Sequence, residues 1–189
     1  MHSTRSRAVL VVLAFALLVP ASAVRATDER NSTAEFISGT GFWMYIGAGV
    51  FLPLLENGRG GANESLRTAD ALGSAVLVSE ALKRIVHEWR PDRSDRKSFP
   101  SGHATGAFAI ATMESQYHPR QAPYWFLGAA LIADSRLTLH KHQFGDVLVG
   151  AAIGYGTARL EVSLPRGLVL RPLIRQDGSA VGIEVAKLL

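Results

Sequence analysis

The sequence predicts an all-α protein, a helical bundle with a small β-hairpin at its C-terminal end. Apolar residues make up 48% of the 189-residue chain and charged residues only 19%, an apolar-rich balance for a single domain. Between about residues 65 and 160, apolar and small residues recur at helical spacings of three and four. After Leu164-Pro165, two strand-like runs flank Asp177-Gly178, a hairpin-turn signal. We therefore expect a helical domain over 27–164 and a hairpin or tail over 165–189.

The first 26 residues predict a secretory signal peptide. Arg5 and Arg7 precede Ala8–Val19, an uncharged apolar run of twelve residues, and small-residue cleavage sites follow after Ala23 or Ala26. An uncleaved membrane anchor is the alternative, but the run is short of the ~20 residues that span a bilayer. Cleavage at the later site removes three arginines and no acid, which lowers the net charge from +4 to +1. The mature chain then has no basic excess that would indicate a nucleic-acid partner.

The next segment combines a polar leader, an uncharged stretch and a glycine-rich connector. Thr27–Glu35 is polar, and Phe36–Leu55 carries no charge for twenty residues. That length is enough to cross a bilayer. Because the stretch also holds four glycines and a proline, a buried helix of a soluble bundle fits equally well. Gly58–Gly61 is typical of a flexible connector.

A helix predicted from about Ser65 ends in two cations. Residues at spacings of four, three and four form one face of it: Leu72, Val76, Ser79 and Lys83. Alone, Lys83 fits a lysine that extends to solvent from a helix end. Arg90 follows seven residues later and would share that face on a continuous helix, with Pro91 marking its end.

Ser101-Gly102-His103 predicts the start of the next helix. Ser101 is a good N-cap residue before an alanine-rich run, and Gly102 permits close approach of an anion to the backbone. A helix N-terminus offers free N–H groups that suit phosphate, and His103 would lie in its first turn. An ordinary capped helix with an incidental histidine is the alternative interpretation.

A helix is predicted over 123–134, and Ser135-Arg136 end it. A third group of polar residues follows. His142 and Asp146 lie four residues apart, so on a helix they would be neighbours. A carboxylate there fixes the tautomer of the imidazole and leaves one nitrogen free, as a histidine nucleophile requires. His140 lies six residues from Asp146 and lacks that partner. A surface His–Asp pair is the alternative.

Two glycines follow in the closing helix. Gly150 and Gly154 lie four residues apart, so both face one side of it. Glycine has no side chain to hold two backbones apart, and these positions therefore predict close helix packing.

Together the three motifs resemble the signature of the type 2 phosphatidic acid phosphatase and vanadium haloperoxidase superfamily. That signature is K-x6-R-P, then P-S-G-H, then S-R-x5-H-x3-D, and every part of it occurs here between Lys83 and Asp146. At typical residue frequencies, one four-position motif arises by chance only once in ~10^5 positions. Three such motifs in the same order are therefore no accident.

The resemblance implies a helical bundle of the acid phosphatase and haloperoxidase type with a metal-free phosphatase site. His142 would attack phosphorus, Asp146 would orient it, and His103 would protonate the leaving oxygen. His103 is expected to stay protonated, because it faces phosphate and has no cation on its own turn. The other members of the site would hold the phosphoryl oxygens: Lys83, Arg90, Ser101, Gly102 and Arg136. No cofactor or metal is expected, in line with the absence of cysteine and of a dense carboxylate cluster.

The expected activity is hydrolysis of phosphate monoesters or pyrophosphates through a phosphohistidine, with lipid-linked substrates favoured. Phosphatidate, phosphatidylglycerol phosphate, polyprenyl pyrophosphate and soluble esters all remain open. A vanadium-dependent haloperoxidase and a phosphate- or lipid-binding module without turnover are the alternatives. The expected location is the periplasmic side of a bacterial inner membrane, with contact to its surface. A soluble or peripheral protein is favoured over an integral one, because the later helices are charged or short of ~20 apolar residues.

Overall fold

The computed structural model describes residues 26–56, 58–165, 167–168, 170–174 and 181–185. Six α-helices make up most of this part of the chain. The helices are α1 Ala26–Phe36, α2 Phe42–Glu56, α3 Gly58–Val86, α4 Gly102–Tyr117, α5 Ala122–Thr138 and α6 Phe144–Ser163. A π-helical turn, Ile37–Gly41, joins α1 to α2, and a 3-10 turn, Pro119–Gln121, precedes α5. The predicted helical architecture is confirmed. Residues 1–25, which include most of the predicted signal peptide, lie outside the described residues.

Helix α4 is the centre of the bundle, with α6, α5, α3 and α2 packed around it. Its sequence is rich in alanine, so neighbouring helices approach closely. A Cβ on Gly154 of α6 would lie 2.1 Å from the Thr105 carbonyl oxygen, and one on Gly150 would lie 2.5 Å from that of Ser101. The two glycines therefore allow α6 to contact the α4 backbone directly, and the predicted close helix packing is confirmed.

Replacing Gly154 by alanine is predicted to destabilise the bundle. Its methyl group would overlap the α4 backbone, which forces α6 outward and costs on the order of 1–3 kcal/mol of the free energy of unfolding. Gly156→Ala is the matched control, because a Cβ there meets nothing within 4 Å. The control should be neutral or stabilising by about 0.5–1 kcal/mol, as expected for alanine in a helix. Denaturant unfolding measures both, and equal stability of the two variants would contradict the packing.

An aromatic core fixes α2 against α4 and α5. Tyr45 of α2 packs edge-on against Trp125 of α5, with ring centroids 5.2 Å apart, and its hydroxyl donates to the Trp125 carbonyl at 2.8 Å. Ile110 of α4 completes the contact. The opposite face of α2 exposes Trp43 and Phe51. The uncharged stretch thus has one side in the bundle core and one outside it.

Glu29–Glu56 is the one helical stretch among the described residues that is long and apolar enough to cross a membrane. It runs through α1, the π-helical turn and α2, so the predicted polar leader is itself helical. Core helices of soluble proteins satisfy the same length and composition criteria. The two interpretations of this stretch therefore both remain.

The prediction of a flexible connector at Gly58–Gly61 is wrong, because α3 begins at Gly58. The physical reason is a close approach between consecutive helices. A Cβ on Gly61 would lie 2.0 Å from the Pro53 carbonyl oxygen. Glycine is needed here so that the start of α3 can pass the end of α2.

Only part of the predicted apolar face of α3 is buried. Ser79 and Lys83 are buried, whereas Val76 is 40% exposed. Ala71 and Ala75, both fully buried, occupy the inward positions instead. Because α3 lies close to its neighbours, small side chains fit inside and larger ones point outward.

Large apolar side chains form stripes on the outer faces of four helices. Their spacings of three, four, seven and eight residues each mark one helix face. The stripes are Met44, Phe51 and Leu55 on α2, Leu77 and Ile85 on α3, Tyr124, Leu127 and Leu131 on α5, and Phe144, Leu148 and Tyr155 on α6. Soluble monomers seldom expose so much apolar surface. This outer surface suits apolar surroundings.

Two short strands follow the bundle. β1, Leu170–Ile174, and β2, Val181–Val185, are antiparallel, with Leu170 opposite Val185 and Ile174 opposite Val181. The predicted turn at Asp177-Gly178 lies outside the described residues. The hairpin as a unit of the fold, and the domain boundary at 164, therefore stay predictions.

Candidate active site

Three segments meet at the N-terminal end of α4. They are the end of α3 with its following loop, the α4 N-terminus, and the α5 C-terminus with the loop into α6. Each carries one of the three sequence motifs, and a fourth contribution comes from the π-helical turn.

The hydrogen bonds of His142 determine its tautomer. Arg90 Nη1 lies 3.2 Å from His142 Nε2, and His142 Nδ1 lies 2.7 Å from the Ser98 carbonyl oxygen. A guanidinium can only donate and a carbonyl can only accept. Nε2 therefore accepts from Arg90, and Nδ1–H donates to Ser98. The lone pair of Nε2 is on the side where the cations lie.

His142 is neutral over the physiological pH range. Burial lowers its pKa to about 3, and the nearby charges of Arg90 and Arg136 act in the same direction. Because the pKa of His142 is low and its tautomer is fixed, Nε2 is an unprotonated nitrogen with positive charges around it. Such a nitrogen is able to act as a nucleophile toward an anionic phosphoryl group.

Asp146 reaches His142 indirectly. Its Oδ2 lies 3.7 Å from His142 Nδ1, beyond hydrogen-bond distance, and accepts instead from the Ser98 hydroxyl and from Gln143 N–H at 2.8 Å. His142 and Asp146 are neighbours as predicted, but they do not share a helix. His142 lies in the loop before α6, which begins at Phe144. Ser98, which the sequence reasoning did not single out, connects the carboxylate to the imidazole.

The prediction that Lys83 and Arg90 share a continuous helix is also wrong. α3 ends at Val86, and His87 has a φ of +49°, outside the right-handed helical region. Arg90 lies in the loop that follows. There Arg90 Nε donates to Asp95 at 2.9 Å, and its Nη1 donates to the Lys141 carbonyl at 2.9 Å. Loop contacts therefore hold this guanidinium beside His142.

The start of α4 has the predicted cap. Ser101 has an extended backbone, and its hydroxyl accepts from Ala104 N–H at 3.4 Å, which confirms it as the N-cap. Ser101 N–H donates to the Asp146 carbonyl at 3.0 Å and so joins α4 to α6. Lys83 Nζ donates to the Pro100 carbonyl and lies 3.9 Å from the point where a Gly102 Cβ would be. A bulkier residue than glycine would thus approach the ammonium group.

His103, in the first turn of α4, is held by the N-terminal helices. Its Nε2 lies 3.1 Å from the Ser38 carbonyl oxygen, and its ring packs on Phe42 with centroids 4.3 Å apart. Because a carbonyl can only accept, Nε2 carries a hydrogen and donates it to Ser38.

The lack of a cation on its own turn does not keep His103 protonated in the substrate-free protein; the expected effect of phosphate stays a prediction. Burial lowers its pKa to about 4, and the charges of Arg136, Arg90 and Lys83 contribute in that order. These cations come from the other two segments that form the site, not from the helical turn that carries His103. Neutral His103 needs a bound anion before it can hold a second proton at neutral pH.

Arg136 lies in the last turn of α5, which continues past the predicted end at Asp134. Its Nη1 donates to the Ser38 hydroxyl, and its buried Nε has no hydrogen-bond partner among the described residues. Burial, with Arg90 nearby, lowers the pKa of Arg136 to about 10, so it remains a cation at neutral pH. This Nε–H is a donor without an acceptor, and a phosphoryl oxygen would supply that acceptor.

The comparison with known families decides the assignment. Residues 66–168 match the PAP2 superfamily. The chain belongs to the PAP2 superfamily. The matched range contains all three motifs, and the resemblance inferred from them is confirmed. Ser38 and Phe42 lie outside the matched residues, so this PAP2 site receives contacts from a helix that carries none of the family's motifs.

Among curated proteins, the lipid A 1-phosphatase of Porphyromonas gingivalis is 33% identical over 136 residues, which is 69% of this chain and 29% of the relative. The chain thus spans under a third of that protein's length. Among solved structures, LpxE of Aquifex aeolicus aligns with a TM-score of 0.59 at 23% identity, over 81% of this chain and 94% of that one. The first transmembrane PAP2 type phosphatidylglycerolphosphate phosphatase from Bacillus subtilis aligns with a TM-score of 0.49 at 22% identity, over 85% of both chains. The likeness to LpxE shows that the PAP2 fold is shared.

A groove of about 450 Å³ lies between α1 and α5. Ile37 and Ser135 line it, and each is the chain neighbour of a site residue, Ser38 or Arg136. Arg30 and Asp134 also line it, whereas Lys83, Arg90 and Arg136 do not.

No group of three or more histidine or acidic side chains is placed to hold a metal ion in the described part of the chain. The charged side chains that gather around His142 are instead Lys83, Arg90 and Arg136.

Proposed function

We propose that this PAP2 protein is a phosphatase that transfers a phosphoryl group to His142 and then to water. The observation that carries this proposal is the state of His142, a neutral imidazole whose Nε2 lone pair lies among three cations. Phosphoryl transfer needs in-line positioning and stabilisation of three equatorial oxygens rather than new covalent chemistry from the protein. A fixed nitrogen nucleophile with surrounding cations meets both needs.

In the first step, Arg90 Nη1 exchanges its hydrogen bond to His142 Nε2 for one to a phosphoryl oxygen. The freed Nε2 lone pair attacks phosphorus and the bond to the leaving oxygen breaks, giving a phosphohistidine. His103 donates a proton to that oxygen, so the product leaves as an alcohol. In the second step, His103 takes a proton from water, which attacks phosphorus and releases phosphate and His142. Asp146 contributes by holding Ser98, whose carbonyl accepts from His142 Nδ1.

The roles proposed for the phosphate-binding residues follow from charge and backbone geometry. Lys83, Arg90 and Arg136 offer positive charge to the equatorial oxygens, and the N-terminus of α4 at Ser101 and Gly102 offers N–H groups. The same three cations would repel a divalent metal ion at the position of the phosphate. Catalysis is therefore proposed to need no metal.

A phosphate monoester on a lipid is the proposed substrate. The apolar stripes on four helices suit a protein that works at a membrane, where such substrates are found. The relative in P. gingivalis is named for its action on lipid A, which supports the same class of substrate. The groove between α1 and α5 is the proposed place for the headgroup, because Ile37 and Ser135 of its lining are the chain neighbours of Ser38 and Arg136.

A substrate panel tests this function directly. The panel compares lipid A, phosphatidylglycerol phosphate, phosphatidate and polyprenyl pyrophosphate with soluble monoesters, each with vanadate or EDTA added. We expect a lipid phosphate to be preferred, vanadate to inhibit as a mimic of five-coordinate phosphorus, and EDTA to have no effect. Activity that is lost with EDTA and restored by one divalent metal would contradict the metal-free mechanism.

The proposed location is the exported face of a bacterial inner membrane. The predicted signal peptide supports export, and the exposed stripes support attachment to lipid. We expect the protein in the membrane fraction, where a carbonate wash separates peripheral attachment from insertion. Recovery in the soluble fraction alone would contradict membrane attachment.

The pH dependence should differ between kcat/KM and kcat. In the free enzyme the pKa values of His103 and His142 are about 4 and about 3, so both are neutral at pH 7. Because the reaction needs a proton on the acid, kcat/KM should be highest at acidic pH and fall as the pH rises. A bound phosphate anion raises the pKa of His103, which moves the optimum of kcat toward neutrality. Because the two histidines share a site, each limb of the pH–rate profile reports an apparent pKa of the pair and not of one residue.

Rate profiles measured from pH 4 to 10 check this prediction. A kcat that continues to climb up to pH 10 would contradict a histidine acid. Coincident profiles for kcat and kcat/KM would contradict the effect of the bound anion on His103.

A further inference from the structure

A π-helical turn in the N-terminal helices reaches the active site. Ile37–Gly41 is wound as a π-helix between two α-helices, and Ser38 is one of its buried residues. Phe42 N–H donates to the Gly39 carbonyl, one residue beyond the Ser38 carbonyl that it would meet in a regular α-helix. Single π-helical turns inside α-helices occur frequently at functional sites. The Phe42 N–H therefore does not bind the Ser38 carbonyl, which accepts from another donor.

That donor is the imidazole of His103. Its Nε2–H is fixed on the Ser38 carbonyl at 3.1 Å while Phe42, four residues on, covers one face of the ring. The other ring nitrogen, Nδ1, makes no hydrogen bond to a described residue. Ser38 and Phe42 thus set both the tautomer and the plane of the ring, and Nδ1 is left for the phosphoryl group.

The Ser38 hydroxyl holds Arg136. It accepts from Nη1, on one side of the guanidinium. The opposite edge, formed by Nε and Nη2, is the pair of donors that binds a phosphate or carboxylate in a bidentate manner. Nε on this edge is buried and without a partner among the described residues. The contact with Ser38 therefore holds Arg136 by Nη1 and leaves Nε as a donor without a partner among the described residues.

We propose that Ser38 is a positioning residue of this site, whose carbonyl orients His103 and whose hydroxyl orients Arg136 toward the phosphoryl group. The inference rests on the proposed phosphatase function and adds a residue to it from outside the family motifs. The backbone carbonyl of Ser38 acts on His103, the group for proton transfer. Its side-chain hydroxyl acts on Arg136, a group for charge stabilisation. The N-terminal helix pair is then a component of the active site as well as of the bundle.

The hydroxyl is tested by Ser38→Ala, with Ser38→Thr as the variant that restores it. Losing a hydrogen bond to a charged group should weaken inhibition by vanadate and binding of inorganic phosphate about tenfold, with KM rising more than kcat falls. Ser38→Thr should recover most of that loss. Thr40→Ala, in the same π-helical turn and exposed, should match the wild type. Unchanged or tighter vanadate and phosphate binding in Ser38→Ala would overturn the proposal.

The carbonyl is tested without turnover, by ¹⁵N NMR of the histidines in the substrate-free protein. The signal of His103, identified by its loss in His103→Asn, should be that of a neutral ring with the hydrogen on Nε2 down to about pH 5. A ring with the hydrogen on Nδ1 would overturn the proposed role of the carbonyl. If the wild type hydrolyses no phosphate ester, the proposed function fails, while the NMR and phosphate-binding results still decide the role of Ser38.

Discussion

Replacing His142 by alanine is expected to lower kcat by a thousandfold or more, roughly the scale seen when a catalytic nucleophile is removed. No other imidazole occupies its position between Arg90 and Ser98. The protein should still fold, because the residue lies in a polar loop ahead of α6. Steady-state kinetics with circular dichroism and thermal unfolding measure both effects. Turnover close to that of the wild type in this variant would contradict the mechanism.

Two further variants place that result in context. His140→Ala changes an exposed histidine two residues earlier and should leave kcat unchanged. Asp146→Asn should lose less activity than His142→Ala, because the carboxylate acts through Ser98. It should lower stability by about 1–3 kcal/mol, since a buried acceptor of two hydrogen bonds is altered. A fall in activity as large as that of His142→Ala would mean that Asp146 takes part in the chemical step.

Replacing His103 by alanine should produce the second large loss, and its size should depend on the leaving group. General acid catalysis contributes about 10²–10⁴-fold when the leaving oxygen needs a proton. A simple alkyl phosphate should show that full loss. 4-Nitrophenyl phosphate should lose far less, because nitrophenolate leaves without a proton. The ratio of kcat/KM for the two substrates isolates the acid role from any change in folding.

His87→Ala is the matched control for this comparison. His87 is an exposed histidine in the loop after α3, so both substrates should react at wild-type rates. An equal loss for both leaving groups in His103→Ala would show that His103 supports binding or structure and does not act as the acid.

The sequence alone determined the three motifs that lie in this site and the helical character of the chain between about residues 65 and 160. The three motifs predicted the PAP2 family, and the serine before an alanine-rich run predicted the cap at Ser101. The spacing of Gly150 and Gly154 predicted the close contact of α6 with a neighbour. Each of these features depends on residue identity or on neighbours within a few positions. The sequence contains both directly.

Only the tertiary structure decided how the site residues are held. Arg90 is placed by loop contacts to Asp95 and Lys141, and Asp146 acts through Ser98, because irregular backbone carries no periodic signal. Gly61 near the start of α3 serves a close crossing with α2, whereas the glycine-rich run that contains it looks the same in sequence as a flexible linker.

The charge state of His103 was decided in the same way. Its cationic neighbours come from two other segments, and its tautomer comes from Ser38, 65 residues earlier in the chain. Burial and charge act through space, so the pKa of a side chain depends on whatever the fold packs around it. Sequence spacing records which residues share a helical turn, but only packing determines which distant segments meet.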